Sequence, residues 1–506
     1  MIENSRRDFL KYTGIAAAVA GVTIGTAGAQ HEESERRGTV EKLGQALPED
    51  PPRYTYGHVR EDGLYGCVSS FPAGGNEYAS TLYDLSDLDE PEEIHRIETA
   101  NSLTRSNDVK FDGTRDGLYY RSQEADDFGE DDQEGLMGIE VVDYGYSEGT
   151  PENPELLGRL ETPNTGVHKL TEHPERELLY LVDKDGEEPG VLTVDVSDPE
   201  SPEIVFTSGP DGYCHDLEVD TVRDVLHAAY IAGDFVGYVI FDLSDPYCPE
   251  EISRVDYADL PDYEEIGEPG FELCHQAHAD PERDIAIIGD EVGGGIPGGK
   301  HIYDIGWNEG SLEEPIHIGF THSPNAKEQG DDEGFFWTTH FHDVIPESHT
   351  ESGATLLVDG GYHEGTWLCD ITDPTNPQPA ESYPTRDRED ESAGHPPSHA
   401  PYCWSAIYNE AREFVFASDT LTGAYTFEIS DTSFEFRSIE EELDSDGIDA
   451  EGIELATHYY LHHASVPNTG EAMTQADLET LLDSFEDGGR EGAATDGGSD
   501  SDPDHH

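Results

Sequence analysis

Residues 190–205 read GVLTVDVSDPESPEIV. From Leu192 to Val196 apolar and polar side chains alternate, the period-two pattern of a strand with one face on a core. Ser197-Asp198-Pro199 supplies turn chemistry, after which the chain resumes as a second extended run. The same order of events recurs in ASTLYDLSDLDEPEEI (79–94), GIEVVDYGYSEGTPENPELL (138–157), GYVIFDLSDPYCPEEI (237–252), KHIYDIGWNEGSLEEPIHI (300–318), TWLCDITDPTNPQPA (366–380) and AYTFEISDTSFEF (424–436). The carboxylates at its centre, Asp84, Asp143, Asp195, Asp242, Asp304, Asp370 and Glu428, mark seven units in succession.

Upstream of each unit lies a further strand pair, such as VHKL (167–170) and LLYLVD (178–183). Four short strands per unit, repeated seven times with no helical stretch between residues 50 and 436, predict an all-β fold and a seven-bladed β-propeller over 54–437. A solenoid of stacked β-units is the alternative; it favours shorter repeats and atypical end caps. Within the N-terminal segment 30–53, TVEKLGQAL (39–47) resembles the outer strand of a unit, as in PELLGRLET, and is a candidate for completing the last blade and closing the ring.

The chain of 506 residues carries 112 Asp+Glu against 27 Lys+Arg, a formal net charge of −85, with 35% hydrophobic residues. That apolar share is enough for a core, so the acidity reads as a solvated surface. Self-repulsion of this size is screened only when the Debye length falls to about 3 Å, at molar salt. In composition the chain resembles haloarchaeal proteins, and the same charge argues against nucleic acid and anionic membrane as partners. Ser5-Arg6-Arg7-Asp8-Phe9-Leu10-Lys11, an apolar run from Ile15 to Ile24 and Ala27-Gly28-Ala29 resemble a twin-arginine signal peptide over residues 1–29. The expected setting is extracellular, and no other apolar run is long enough to span a bilayer. After the repeats, an acidic linker (438–453), a short helical hairpin (454–486, from ELATHYYLHHA and TQADLETLLDSF) and an acidic tail (487–506) are expected.

The pattern Gly-x-x-x-φ-Asp-φ-Ser-Asp-Pro-x-x-Pro (φ, apolar), clearest at 190–202, resembles the repeat of the LVIVD family of secreted β-propellers. CHDLEVD (214–220) and CHQAHADPERDIAIIGDE (274–291) are similar to its choice-of-anchor B branch. The resemblance covers roughly residues 54–436, and units two, five and seven depart from the Ser-Asp-Pro consensus. It implies the fold and an extracellular setting, with no reaction to carry over.

Aligning the units on their second strand exposes a second regularity. Fifteen residues separate His168 from Asp183, His215 from Tyr230, His275 from Asp290, Trp404 from Asp419 and Asn107 from Ser122. These positions begin the innermost strands, so His58, Asn107, His168, His215, His275 and Trp404, with His340 or His342 from the sixth unit, are expected to ring one channel mouth. His168, His215, His275, His340 and His342 are the candidate ligands of a Cu or Zn ion, as neutral imidazoles drawn from separate blades. An open three-histidine site would polarise substrate or activate water, which loosely resembles the channel histidines of selenium-binding-protein-type methanethiol oxidases. Two other readings stand beside it: a ring of histidines that satisfies buried polar groups, and direct acid/base or nucleophilic catalysis.

Six cysteines, among them Cys214 and Cys274 at equivalent places, permit disulfides in an exported chain, with Cys214–Cys274 the candidate pair and thiol ligation its rival. GGIPGGK (294–300) has phosphate-loop spacing, but His301 stands where Ser or Thr is needed, and no helix follows. The repeated aspartates are too regular for one active site and are expected to bond backbone within each unit. The sequence therefore predicts recognition of an extracellular ligand or protein partner through loops and channel mouth, with a metal-dependent oxidoreductase or hydrolase as the alternative.

Overall fold

The computed structural model describes residues 39–71, 78–99, 103–125, 136–162, 166–182, 189–260, 271–292, 298–325, 338–392 and 400–430, then 453, 456–457, 460 and 473–482. The signal segment 1–29, the acidic tail and most of the linker lie outside these residues, as do Asp183 and most of GGIPGGK.

The fold is all-β apart from short 3-10 turns and helical residues near the C-terminus. Consecutive strands pair antiparallel into four-stranded sheets. One contains Arg53–Val59, Tyr65–Phe71, Tyr78–Asp84 and Glu92–Glu98; three more begin at Leu170–Glu172, Tyr213–Asp220 and Cys274–Ala279. A five-stranded sheet starts with Thr104–Arg105 and Val109–Phe111, both paired to Leu118–Ala125. An eight-stranded sheet comprises two such meanders, beginning at Thr339–Ile345 and Cys403–Asn409 and joined by one parallel pair, Phe341 with Ser405. Its last strand is Thr39–Ala46, which pairs antiparallel with Gly423–Ser430 and so ties the two ends of the repeat region together.

The second strands Leu178–Val182, Ile285–Asp290 and Phe414–Asp419 are buried throughout, which suits sheets covered on both faces. Apolar side chains fill the spaces between successive sheets. Tyr180, Val182 and Val191 meet Cys214, Leu217 and Tyr230, while Ala229, Tyr238 and Ile240 meet Cys274, Ala286 and Ile288. Phe414 and Phe416, late in the chain, pack on Tyr54, Val68 and Tyr83. The first strands are also stitched to one another: the Asp108 carboxylate accepts the Leu170 N–H, Asp343 the Tyr408 N–H, and the Ser405 hydroxyl the Gly57 N–H.

The sequence pattern explains two local features. Each of the six repeat aspartates closes the turn that follows it. Asp195 and Asp242 accept N–H groups from Ser197 and Ser244, whereas Asp143, in a unit without Ser-Asp-Pro, accepts five, from residues 145 to 149. The glycine that opens the third strand is required by close approach, since no side chain fits there. At Gly237 (φ 146°) an added Cβ would lie 2.0 Å from the Val255 carbonyl oxygen, and at Gly423 (φ 94°) 2.2 Å from that of Ala46.

Near the C-terminus, residues 453, 456–457 and 460 are helical, and a helix runs over 475–482. Thr474 and Asp477 cap that helix reciprocally, each side chain holding the other's backbone N–H, with Leu478 and Leu481 buried, the arrangement of a capping box. Among the described residues no helix is long and apolar enough to cross a membrane.

Candidate metal centre

The fifteen-residue spacing marks β-bulges. Opposite Tyr230 and Ala229 stand Cys214 and Asp216, so His215 is the extra residue; His275 is extra between Cys274 and Gln276, and Trp404 between Cys403 and Ser405. In the sixth unit two residues, His340 and Phe341, face the single Gly360 between paired positions. A bulge leaves its residue out of the ladder and re-aims the side chain. Here it turns imidazoles from neighbouring sheets toward one cavity of about 420 Å³.

Four histidines follow one another along its wall. Ring centroids are 4.6 Å apart for His168 and His215, 4.1 Å for His215 and His275, and 4.3 Å for His275 and His340. Their hydrogen bonds differ. His168 Nδ1 donates to Glu124 Oε1 at 2.9 Å, and its Nε2 accepts from the Asn107 amide at 3.1 Å; Arg105 Nε donates to the same Glu124 oxygen at 2.9 Å. His215 Nδ1 donates to the His275 carbonyl at 3.0 Å, which makes Nε2 the lone-pair nitrogen. His340 Nδ1 donates to the Trp404 carbonyl at 2.6 Å, and its Nε2 accepts the Tyr362 hydroxyl at 2.7 Å.

His275 is 1% exposed, and neither of its ring nitrogens has a hydrogen-bond partner. Its Nε2 lies 3.6 Å from Glu291 Oε2, and His340 Nε2 lies 3.7 Å from Glu291 Oε1. Donor atoms of His215, His275 and Glu291 all stand within 4.8 Å of one another. Zn–N bonds of about 2.0–2.1 Å put tetrahedral donors roughly 3.4 Å apart, so these three need to close by about an ångström to hold an ion.

The electrostatics suit a ligand role for the imidazoles. Burial, reinforced by the neighbouring His215 and His340, holds His275 well below the ordinary imidazole range, so it is neutral at physiological pH. His340 is lowered likewise, burial outweighing its bond to the Trp404 carbonyl. Burial pushes the Glu291 carboxyl up to about 7, opposed by the neighbouring Tyr362 hydroxyl. Tyr362 stacks on Tyr402 at 3.9 Å and, with Trp404 and Phe71, gives the cavity an aromatic side; Arg53 and Arg105 lie at its edge.

Several expectations need correction. His58 does not join this cavity. The first sheet places its bulge at Thr55–Tyr56, between the pairs Tyr54–Ser70 and Gly57–Val68, so His58 falls further along the strand and lines a second cavity, where its Nδ1 accepts the Phe111 N–H. His342 also belongs there. Two residues beyond His340 on the same strand, it has moved along the interior rather than across it, so the two histidines serve different cavities. Asp216 lines the second cavity while its neighbour His215 lines the first, because the bulge interrupts the alternation that would have set them on opposite faces.

The Cys214–Cys274 disulfide is not formed: all six cysteines are free thiols. Cys214 packs between the sheets of residues 170–211 and 213–256, Cys274 between the latter and its successor, so a whole sheet separates their core clusters. Cys214 and Cys274, the paired residues just before the bulged His215 and His275, are both completely buried. Burial raises the Cys274 thiol well above its ordinary range, and apolar surroundings of this kind disfavour thiolate ligation.

Sequence reasoning missed Glu291 and Tyr362. Glu291 directly follows Asp290, the position used to align the units, and its N–H bonds the Leu273 carbonyl just ahead of the His275 bulge. The pairing of strand ends across one hairpin was the available signal. No protein-family model matches the chain, and no curated protein matches it either.

Proposed function

We propose that residues 39–430 form a seven-bladed β-propeller of the LVIVD type, and that the histidine cavity is a transition-metal centre serving a metal-dependent enzyme. The blade reading takes the eight-stranded sheet as blades six and seven and the five-stranded sheet as blade two, with Thr39–Ala46 as the ring-closing strand. The twin-arginine signal and the acidic composition belong to the same proposal, which sets the protein outside the cell in high salt.

One observation carries the metal reading: three donors from His215, His275 and Glu291 gather within 4.8 Å around a fully buried imidazole that has no hydrogen-bond partner. Two imidazoles and one carboxylate are a donor set for Zn in an open catalytic site, and imidazole also suits Cu. Bound there, the ion would act as a Lewis acid or redox centre; His340 and Tyr362, hydrogen-bonded to each other next to Glu291, would be placed to carry a proton. The recognition reading rests on the aromatic side of the same cavity and keeps its force only if the centre holds no metal.

The test is elemental analysis of protein purified in molar salt after incubation with Zn or Cu and desalting into the same salt. One equivalent of metal, lost in His275→Ala and in Glu291→Gln while the circular-dichroism spectrum is kept, is expected. Wild-type protein that retains neither metal overturns the proposal.

A further inference from the structure

We propose a second binding site, independent of the metal centre, for a small organic amine in its protonated form. It occupies the cavity of about 460 Å³ further along the first strands, where Tyr56, Asp216, Glu218, Phe341 and His342 face one another. That volume lies in the range of small-molecule pockets.

His342 is 1% exposed, lines the cavity, and has no hydrogen-bond partner at either ring nitrogen. Burial holds it far below the ordinary imidazole range, so it presents one lone pair and one N–H. Leaving both nitrogens unused in a buried place is costly unless something in the cavity meets them.

Charge gives the ligand its sign. Five carboxylates line this cavity, those of Glu61, Asp216, Glu218, Asp343 and Glu410, against two ammoniums: Lys110 in the lining, whose Nζ already donates to Tyr56 Oη at 3.0 Å, and Lys169 beside Tyr56 and Asp216. The first cavity has the opposite balance, two guanidiniums to one carboxylate. The two cavities thus differ in polarity, and this one favours a cation. Lys169 shows what the local chemistry accepts. Its ammonium lies 3.2 Å from the Tyr56 ring centroid, 4.2 Å from that of Phe341 and 3.8 Å from Asp216, so the aromatic faces here already hold a cation.

A metal ion fits less well. Among the described residues the donors that gather closely enough for an ion are those of the first cavity; His342, His278 and Asp343 do not. A larger cation that brings its own N–H donors reaches the spaced acceptors, with Glu218 taking the charge and the His342 lone pair an N–H.

Isothermal titration of the full chain in molar KCl with 1,4-diaminobutane tests this, using 1,4-butanediol and tetramethylammonium as shape and charge controls. Saturable binding of the diamine at one per chain is expected, with no binding of either control. Glu218→Gln and His342→Gln should each weaken it at least about tenfold while the metal content of the first cavity is unchanged. No diamine binding to the wild type, equal affinity in both variants, or equal binding of the diol overturns the proposal.

Discussion

Lys300 and Asp359 form an ion pair at 2.8 Å with neither side chain exposed, and Lys300→Met removes its cation. Lys300 also donates to the His340 carbonyl at 2.7 Å, so the pair lies directly behind a histidine of the proposed centre. In the variant the Asp359 carboxylate keeps the Trp367 indole N–H at 2.7 Å and the His340 N–H at 3.3 Å but has no counter-charge. Breaking a buried pair from one side costs about 3–5 kcal/mol, because the remaining charge is uncompensated. Burial already raises the Asp359 carboxyl above the ordinary range, and losing Lys300 raises it further. A carboxyl whose folded pKa exceeds its unfolded value binds more protons when folded. Its penalty is therefore full above the folded pKa and is relieved as pH falls through it, at about 1.4 kcal/mol for each tenfold gain in proton affinity on folding. Urea unfolding in molar KCl, followed by tryptophan fluorescence, should show the deficit at about pH 8 and a smaller one at about pH 5. Lys300→Met with Asp359→Asn removes both charges, keeps an acceptor for Trp367, and should recover most of the loss. A single-variant cost under about 1 kcal/mol, or a deficit that does not change with pH, refutes the reasoning.

Two further outcomes follow from charge and thiol chemistry. The net charge of −85 should cost the protein its fold on dialysis to low salt. At about 50 mM salt repulsion reaches beyond roughly 10 Å, and an unchanged circular-dichroism spectrum there contradicts the expectation. Thiol titration in denaturant without reductant should find six free cysteines, and a count of four would mean that one pair is oxidised.

The repeat carried most of the fold. The seven carboxylates located the third strands, and the likeness of TVEKLGQAL to an outer strand anticipated its pairing with Gly423–Ser430. The fifteen-residue spacing found His168, His215 and His275. A bulge keeps the offset to the paired second strand even while it breaks the local alternation. That break also limits the reading: a strict period of two would set Asp216 opposite His215, and it cannot say which of His340 and His342 belongs to which cavity. His58 failed for a related reason, since its sheet bulges earlier along the strand than its position implies. Glu291 and Tyr362 went unread because they follow the second strands, just past the register that was aligned, and meet His275 and His340 across their own hairpins.

The histidines themselves separate a polar ring from a metal centre. A ring that only satisfies buried polar groups should leave each imidazole fully bonded. His168 meets that description, with one nitrogen on Glu124 and the other on Asn107, and so does His340, on the Trp404 carbonyl and Tyr362. His275 stands between them with neither nitrogen bonded, at a cost of about 1–3 kcal/mol for each buried polar atom left unmet. Its carbonyl fixes the tautomer of His215, and the carboxylate beside its Nε2 is Glu291. The neighbours are therefore arranged about the one member that the protein leaves unbonded, and the ion proposed for His275, His215 and Glu291 would account for that arrangement.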